Sequence, residues 1–213
     1  RGAIFTLGLL AAAAGYRLGS TRRAQGNAAD GLPTASGSLG NIVSALWGRE
    51  IMDSKTDTSS HGSEVARRYG CGGARVEAAN GFPSVYRHGL PAYTSVLGRH
   101  GRAAARVHCF FAMLERVQDT TLLYRGGIEG LEYARNAAQA FNRRGGVESP
   151  DWETHAVNTH HEFVKRNLSC GGIADLLAAT IFIQRMEECN CPAGLPHRDA
   201  CRAVTEVSCQ AWR

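Results

Sequence analysis

The sequence predicts an all-α protein, a single-domain multi-helix bundle with Gly-rich interhelical loops. Apolar residues recur at helical spacing in one segment after another, and no run alternates as a half-buried strand would. Glycine pairs stand at the junctions between those segments, at Gly72-Gly73, Gly126-Gly127, Gly145-Gly146 and Gly171-Gly172. No internal repeat is visible, so the helices build one body rather than a solenoid.

Composition narrows the class. The chain has 213 residues, 44% hydrophobic and 20% charged, enough for a buried core. Its net charge of +5 is nearly all arginine, since only Lys55 and Lys165 are lysines. Guanidinium groups suit bidentate phosphate binding. They are spread along the chain, so a phosphorylated small molecule fits them as well as nucleic acid does. Seven cysteines are an odd number, and Cys71, Cys109 and Cys170 sit singly, which reads as reduced thiols and a cytoplasmic location. The apolar run from Ala3 to Ala14 is too short to span a bilayer and lacks the flanks of a signal peptide. The chain opens at Arg1 inside a helical pattern, and the expectation is an N-terminally truncated sequence.

Taken in order, Gly2 to Gly19 is apolar on nearly every face and predicts a buried helix ending near Gly15 or Gly19. Residues 20–38 are polar and Gly-rich, a loop. Leu39 to Met52 carries Ile42, Val43, Leu46, Trp47 and Ile51 at helical spacing, and a second loop, DSKTDTSS, follows. Ser60 is placed to cap a helix through VARRYG. From Cys71 to Pro91 the glycines predict short helical turns. Arg102 to Gln118 is a helix with Val107, Phe110, Phe111, Leu114 and Val117 on one face, and it runs into DTTLLYRGG. Ile128 to Arg144 is another, closed by Gly145-Gly146. Ser149 and Pro150 fit the cap and first turn of a helix reaching about Asn167. Then NLSCGGIADLLAATIF breaks the chain and opens an apolar helix with Asp175 in its first turn. Residues 187–213 are a divergent Cys-containing tail.

Several constellations have the residue types for chemistry. Gly171-Gly172 at a helix start suits an anion or serves close helix packing. Asp119 with Arg125 and Gly126-Gly127 could hold Mg²⁺ and phosphate, or form an exposed Asp–Arg pair at a corner. Arg67, Arg68, Arg75 and Glu77 flank Gly70 to Gly73, a phosphate cradle or a solvated basic helix end. A P-loop is excluded because no Lys-Ser/Thr ending is present. His61 suits a general base or a phosphate contact. His155, His160 and His161 lack the HExxH order of a zinc hydrolase. In the tail, Cys189, Cys191, Cys201, Cys209 and His197 have poor zinc spacing and read as unpaired thiols.

Together, GAIFTLGLL, SSHGSEVARRYGCGGARVEAANGFPSVYRHGLP, ERVQDTTLLYRGGIEGLEYA and FVKRNLSCGGIADLLAATIFI, spread over residues 1–186, resemble the triphosphoribosyl-dephospho-CoA synthases. The resemblance implies a helical transferase that joins ATP to 3′-dephospho-CoA and releases adenine, with neither nucleic acid nor membrane as partner. The product would pass to a transferase acting on the acyl carrier protein of malonate decarboxylase or citrate lyase. It also implies site roles: Asp119 and Glu77 for Mg²⁺ or base duty, His61 for a catalytic or ribose contact, and Arg68, Arg75 and Arg125 for phosphates. Gly126, Gly127, Gly171, Gly172 and Asp175 would complete the pocket. The chain departs from the family pattern at Thr121, Tyr124, Cys170 and Ile173, where Asn, His, Pro and Ser are usual. The alternative is a non-catalytic helical relative that binds a nucleotide or a protein.

Overall fold

The computed structural model describes residues 2–24, 37–54 and 61–189. Ser60 and the tail positions Cys191, Cys201, Cys209 and His197 lie outside them. Among the described residues the chain forms α1 (Gly2–Ala24), α2 (Leu39–Asp53), α3 (His61–Tyr69), α4 (Gly73–Ala79), a π turn (Val85–Gly89), α5 (Leu90–Arg116), α6 (Thr120–Arg143), a 3₁₀ turn (Gly146–Glu148), α7 (Trp152–Lys165) and α8 (Gly171–Cys189), with no strand. The predicted all-α class holds.

Two of these helices are bent at glycine. Gly101 (φ 77, ψ 178) breaks α5 and Gly127 (φ 62, ψ −159) breaks α6, conformations that only glycine adopts without strain. The sequence places helix starts at Arg102 and Ile128, one residue past each bend. What it does not assign is the arm before each bend. In α5 that arm, Leu90 to His100, doubles back on its successor. The Cys109 thiol donates to the Gly89 carbonyl at 3.4 Å, so Gly89 and Cys109 face each other across a helical hairpin.

The core forms where α1, α2, α5, α6 and α8 meet, around Leu10, Leu39, Val43, Phe82, Met113, Leu114, Leu122, Ile173 and Ile183, all fully buried. α1 packs on α8 and α2. It departs from expectation in two ways. It continues to Ala24 rather than stopping at Gly15 or Gly19, and it is buried on one side only: Leu10 and Ala13 are fully enclosed while Ile4 is 79% exposed. The helical stretch Gly2–Ser20 is also long and apolar enough, by length and composition, to cross a membrane, which the shorter apolar run did not predict. α7 begins at Trp152 with Asp151 at its cap position. Ser149 does not cap it because its hydroxyl donates to the Asp151 carboxylate.

Candidate active site

The starts of α6 and α8 are joined by one side chain. Asp119 caps α6 through Oδ1, which accepts from the Thr121 N–H at 2.6 Å and the Leu122 N–H at 3.1 Å. Its Oδ2 accepts from the Ile173 N–H of α8 at 2.8 Å. The first amides of a helix have no partner within it, so a carboxylate between two such ends satisfies donors from both. Glycine makes the approach feasible: a Cβ at Gly172 would lie 3.2 Å from the Asp119 carboxylate atoms, and one at Gly171 would lie 2.8 Å from Thr121 Oγ1. Asp119 is only 1% exposed. Burial raises its pKa, and the bonds from Ile173, Leu122 and Thr121 oppose the rise.

The start of α4 completes the corner. A Cβ at Gly73 would come within 3.3 Å of Thr120 Cγ2. Glu77 lies one helical turn further on the same face of α4. Its carboxylate accepts from the Ser84 hydroxyl at 2.5 Å and from the Ser84 N–H at 3.2 Å. Burial raises the Glu77 pKa; Ser84, and then the charge of Arg87, work against it. The Gly-rich turn thus sets the start of α4, which carries Glu77 one turn in, against the start of α6 that Asp119 caps. The half-buried Cys170 stands beside Asp119, and its thiol is pushed to about 12 by burial and then by that carboxylate, so it stays protonated.

Other sequence-predicted residues flank the corner or are engaged elsewhere. His61 stacks on Tyr124, ring centroids 4.0 Å apart, at the exposed side of α3 and α6. Asp175 sits one turn into α8 against Gly2, where a Cβ would overlap its carboxylate. Its pKa is raised mainly by burial, and the Ala3 backbone hydrogen bond opposes that rise. Arg125 donates to Asn167 Oδ1 at 3.0 Å, tying α6 to the turn that follows α7. Arg68 lies over the Tyr69 ring at 5.2 Å. Gly126 makes room for Leu168, whose Cδ2 would be 2.5 Å from an added Cβ. Gly127 supplies the bend. Arg75 has a different task from the phosphate contact expected of it: its guanidinium donates to the carbonyls of Ile51 at 2.5 Å, Met52 at 3.0 Å and Ser54 at 2.9 Å. Those are the orphan acceptors at the end of α2, and Arg75 closes that helix.

The expected Mg²⁺ ligand pair does not fit this geometry. Both Asp119 oxygens face backbone donors and the Glu77 carboxylate faces Ser84. Among the described residues no group of three His, Cys, Asp or Glu side chains is arranged to hold a metal ion. Two features of the corner escape sequence reading. Ser84 is a partner of Glu77 only because the chain turns back after α4. Ile173 acts through its amide, which carries no residue-type signal; its side chain is fully buried.

Comparison with known proteins places the chain. A family model, CitG, described as ATP:dephospho-CoA triphosphoribosyl transferase, matches residues 1–192. The chain is 32% identical over 189 residues to a probable 2-(5″-triphosphoribosyl)-3′-dephosphocoenzyme-A synthase of Acinetobacter calcoaceticus, covering 88% of this chain and 61% of that protein. Proteins of the same description are 35% identical over 187 residues in Stutzerimonas stutzeri, covering 87% of this chain and 60% of the relative, and 36% identical over 190 residues in Pseudomonas fluorescens, covering 88% and 60%. The chain therefore spans about 60% of the length of these curated relatives. No solved structure matches it.

Proposed function

The chain belongs to the ATP:dephospho-CoA triphosphoribosyl transferase family, and from that premise we propose that its parent protein transfers the triphosphoribosyl group of ATP to 3′-dephospho-CoA with release of adenine. The observation that supports this reading is the glycine-lined corner itself, where the buried Asp119 carboxylate joins the starts of α6 and α8 and α4, which carries the half-buried Glu77, begins against Thr120.

In the proposed reaction a ribose hydroxyl of dephospho-CoA attacks C1″ of the ATP ribose. The new O–C1″ bond forms as the C1″–N9 bond breaks, and the electron pair leaves with adenine, which takes up a proton. A base must accept the hydroxyl proton. Glu77 is the residue assigned to it: burial raises its affinity for a proton, and Ser84 holds its orientation. Asp119 positions the corner and does not act as base, because its oxygens are held by backbone amides. The His61–Tyr124 stack is assigned to a ribose or base contact at the pocket edge, and Arg68 to a phosphate. Mg²⁺ is assigned to the ATP triphosphate as its counter-ion, brought in with the substrate.

The departures at Thr121 and Ile173 support a working site over a degenerate one, since both positions serve Asp119 through backbone amides that any residue but proline supplies. By the family's chemistry, the product is the precursor of the prosthetic group on the acyl carrier protein of malonate decarboxylase or citrate lyase, in the cytoplasm. The test is direct. The full-length protein, given ATP, Mg²⁺ and dephospho-CoA, is expected to release one adenine per dephospho-CoA consumed, read by chromatography; absence of free adenine overturns the proposal.

A further inference from the structure

Glycine weakens the interior of a helix, so a helical glycine needs a reason. In α2 the reason is contact: a Cβ on Gly40 would lie 2.1 Å from the Gly81 carbonyl oxygen and 2.6 Å from Tyr86 Cε2, and one on Gly48 would lie 2.9 Å from the Ala79 carbonyl oxygen. Both glycines let another part of the chain come close. α1 has glycines with nothing against them. Among the described residues no atom stands within 4 Å of a Cβ placed on Gly8 or Gly15.

These two glycines belong to a seam. Ile4, Gly8, Ala11, Gly15 and Leu18 recur at alternating steps of four and three residues, the spacing of a helix edge that faces another helix. All of them are exposed, as are Phe5 and Ala12 beside them, and none is polar. Large side chains stand at the two ends, Ile4 at 79% and Leu18 at 51% exposure, with a floor of glycine and alanine between. The opposite side of α1 is in the core through Leu10, Ala13 and Ala14. A helix apolar on all sides is one that is covered on all sides, and α1 is covered on one.

About two fifths of each curated relative lies outside its match with this chain, since the matches cover 61%, 60% and 60% of them. That length is enough for several helices. A membrane suits the seam less well: lipid has no use for a glycine floor, whereas an approaching helix backbone does, and the buried side of α1 holds it against α2 and α8.

We propose that the α1 seam is the seat of a helix supplied by residues that the full-length protein has beyond these 213, with an apolar side chain of that helix set over Gly8 and Gly15 as Tyr86 is set over Gly40. The seat borders the candidate site, because Gly2 at the start of α1 lies against Asp175 of α8. It rests on family membership and not on the transferase reading.

The test uses the full-length protein. Gly8→Leu/Gly15→Leu puts two side chains into open space on α1 and raises its helix propensity, so a bare face leaves the unfolding midpoint unchanged or higher. A seated helix lowers the midpoint by about 5 °C or more; an unchanged or higher midpoint overturns the proposal. A second measurement identifies the occupant, and it stands even where the double variant fails to fold. A benzophenone amino acid replaces Leu18, and after irradiation the crosslinked peptide is identified by mass spectrometry, in lipid-free solution and with phosphatidylcholine vesicles. The expected product is a crosslink within one chain to a residue beyond these 213. A crosslink inside the 213 residues, to a second copy or to lipid, or no crosslink, overturns the proposal. Adenine release is scored separately, so an inactive protein with the expected crosslink overturns the transferase reading and keeps the seat.

Discussion

Asp119 shows how a side chain with the right chemistry for one task can be held to another. Its type and position, before Thr-Thr at a helix start, fit a metal ligand and a cap equally well, and the structure gives it the cap. Removing the carboxylate leaves the Thr121, Leu122 and Ile173 amides buried without an acceptor. Asp119→Ala is expected to lower the unfolding free energy by about 3 kcal/mol or more, at roughly 1–3 kcal/mol for each unsatisfied group. Asp119→Asn keeps one carbonyl oxygen and is expected to lose clearly less. Urea denaturation of both variants checks this, and equal losses would contradict the clamp. Arg75 carries the same lesson with the opposite sign of charge: an arginine beside glycines looks like a phosphate ligand until the three carbonyls at the end of α2 are seen to need it.

At the scale of elements, the sequence is informative where glycine marks a change of direction and silent about which side of the glycine is also helical. Arg102 and Ile128 are correct restarts because a helical run resumes there with its apolar face intact. The arms before them, Leu90 to His100 and Thr120 to Gly126, receive no helix from the sequence because the glycines interrupt the pattern that would have joined them. α1 is the converse case. Its residues are apolar all round, which argues for burial on all faces, but helix α1 finds partners only on the Leu10 and Ala13 side. The meeting of α4, α6 and α8 was legible as three Gly-bearing motifs; the hairpin that brings Gly89 to Cys109 was not, since it depends on a fold-back with no local signature. Gly127 tests the bend alone, because a Cβ there would meet only Tyr69 Oη at 3.6 Å. Gly127→Ala is expected to lose about 1–3 kcal/mol of stability through backbone strain, with Gly126→Ala differing by pressing on Leu168. Thermal unfolding measured on the two variants separates the effects.

Over the whole molecule, the acid limb of stability is set by carboxyls whose burial favours the proton. Glu187, on α8, is pushed up to about 7 by burial, against an opposing contribution from Arg17. Below its ordinary value of 4.5 the folded and unfolded chains both hold the proton; between 4.5 and about 7 only the folded chain does. Stability therefore falls as pH rises through that window, by about 3 kcal/mol at most. Glu187→Gln, neutral in both states, is expected to flatten this slope, as read from denaturation midpoints at several pH values. Glu77 adds to the same trend, since its pKa is likewise raised.

A single carboxylate that serves its own helix and an amide 54 positions further along the sequence also sets a kinetic condition. Asp119 belongs to the start of α6, so that start cannot open without also taking the acceptor from the Ile173 amide of α8, whereas α8 can leave without uncapping α6. In deuterated solvent the Thr121, Leu122 and Ile173 amides should all be protected above ordinary first-turn amides, with Ile173 no better protected than Thr121 and Leu122. Exchange at Thr121 and Leu122 would then report the opening that also parts the two helices.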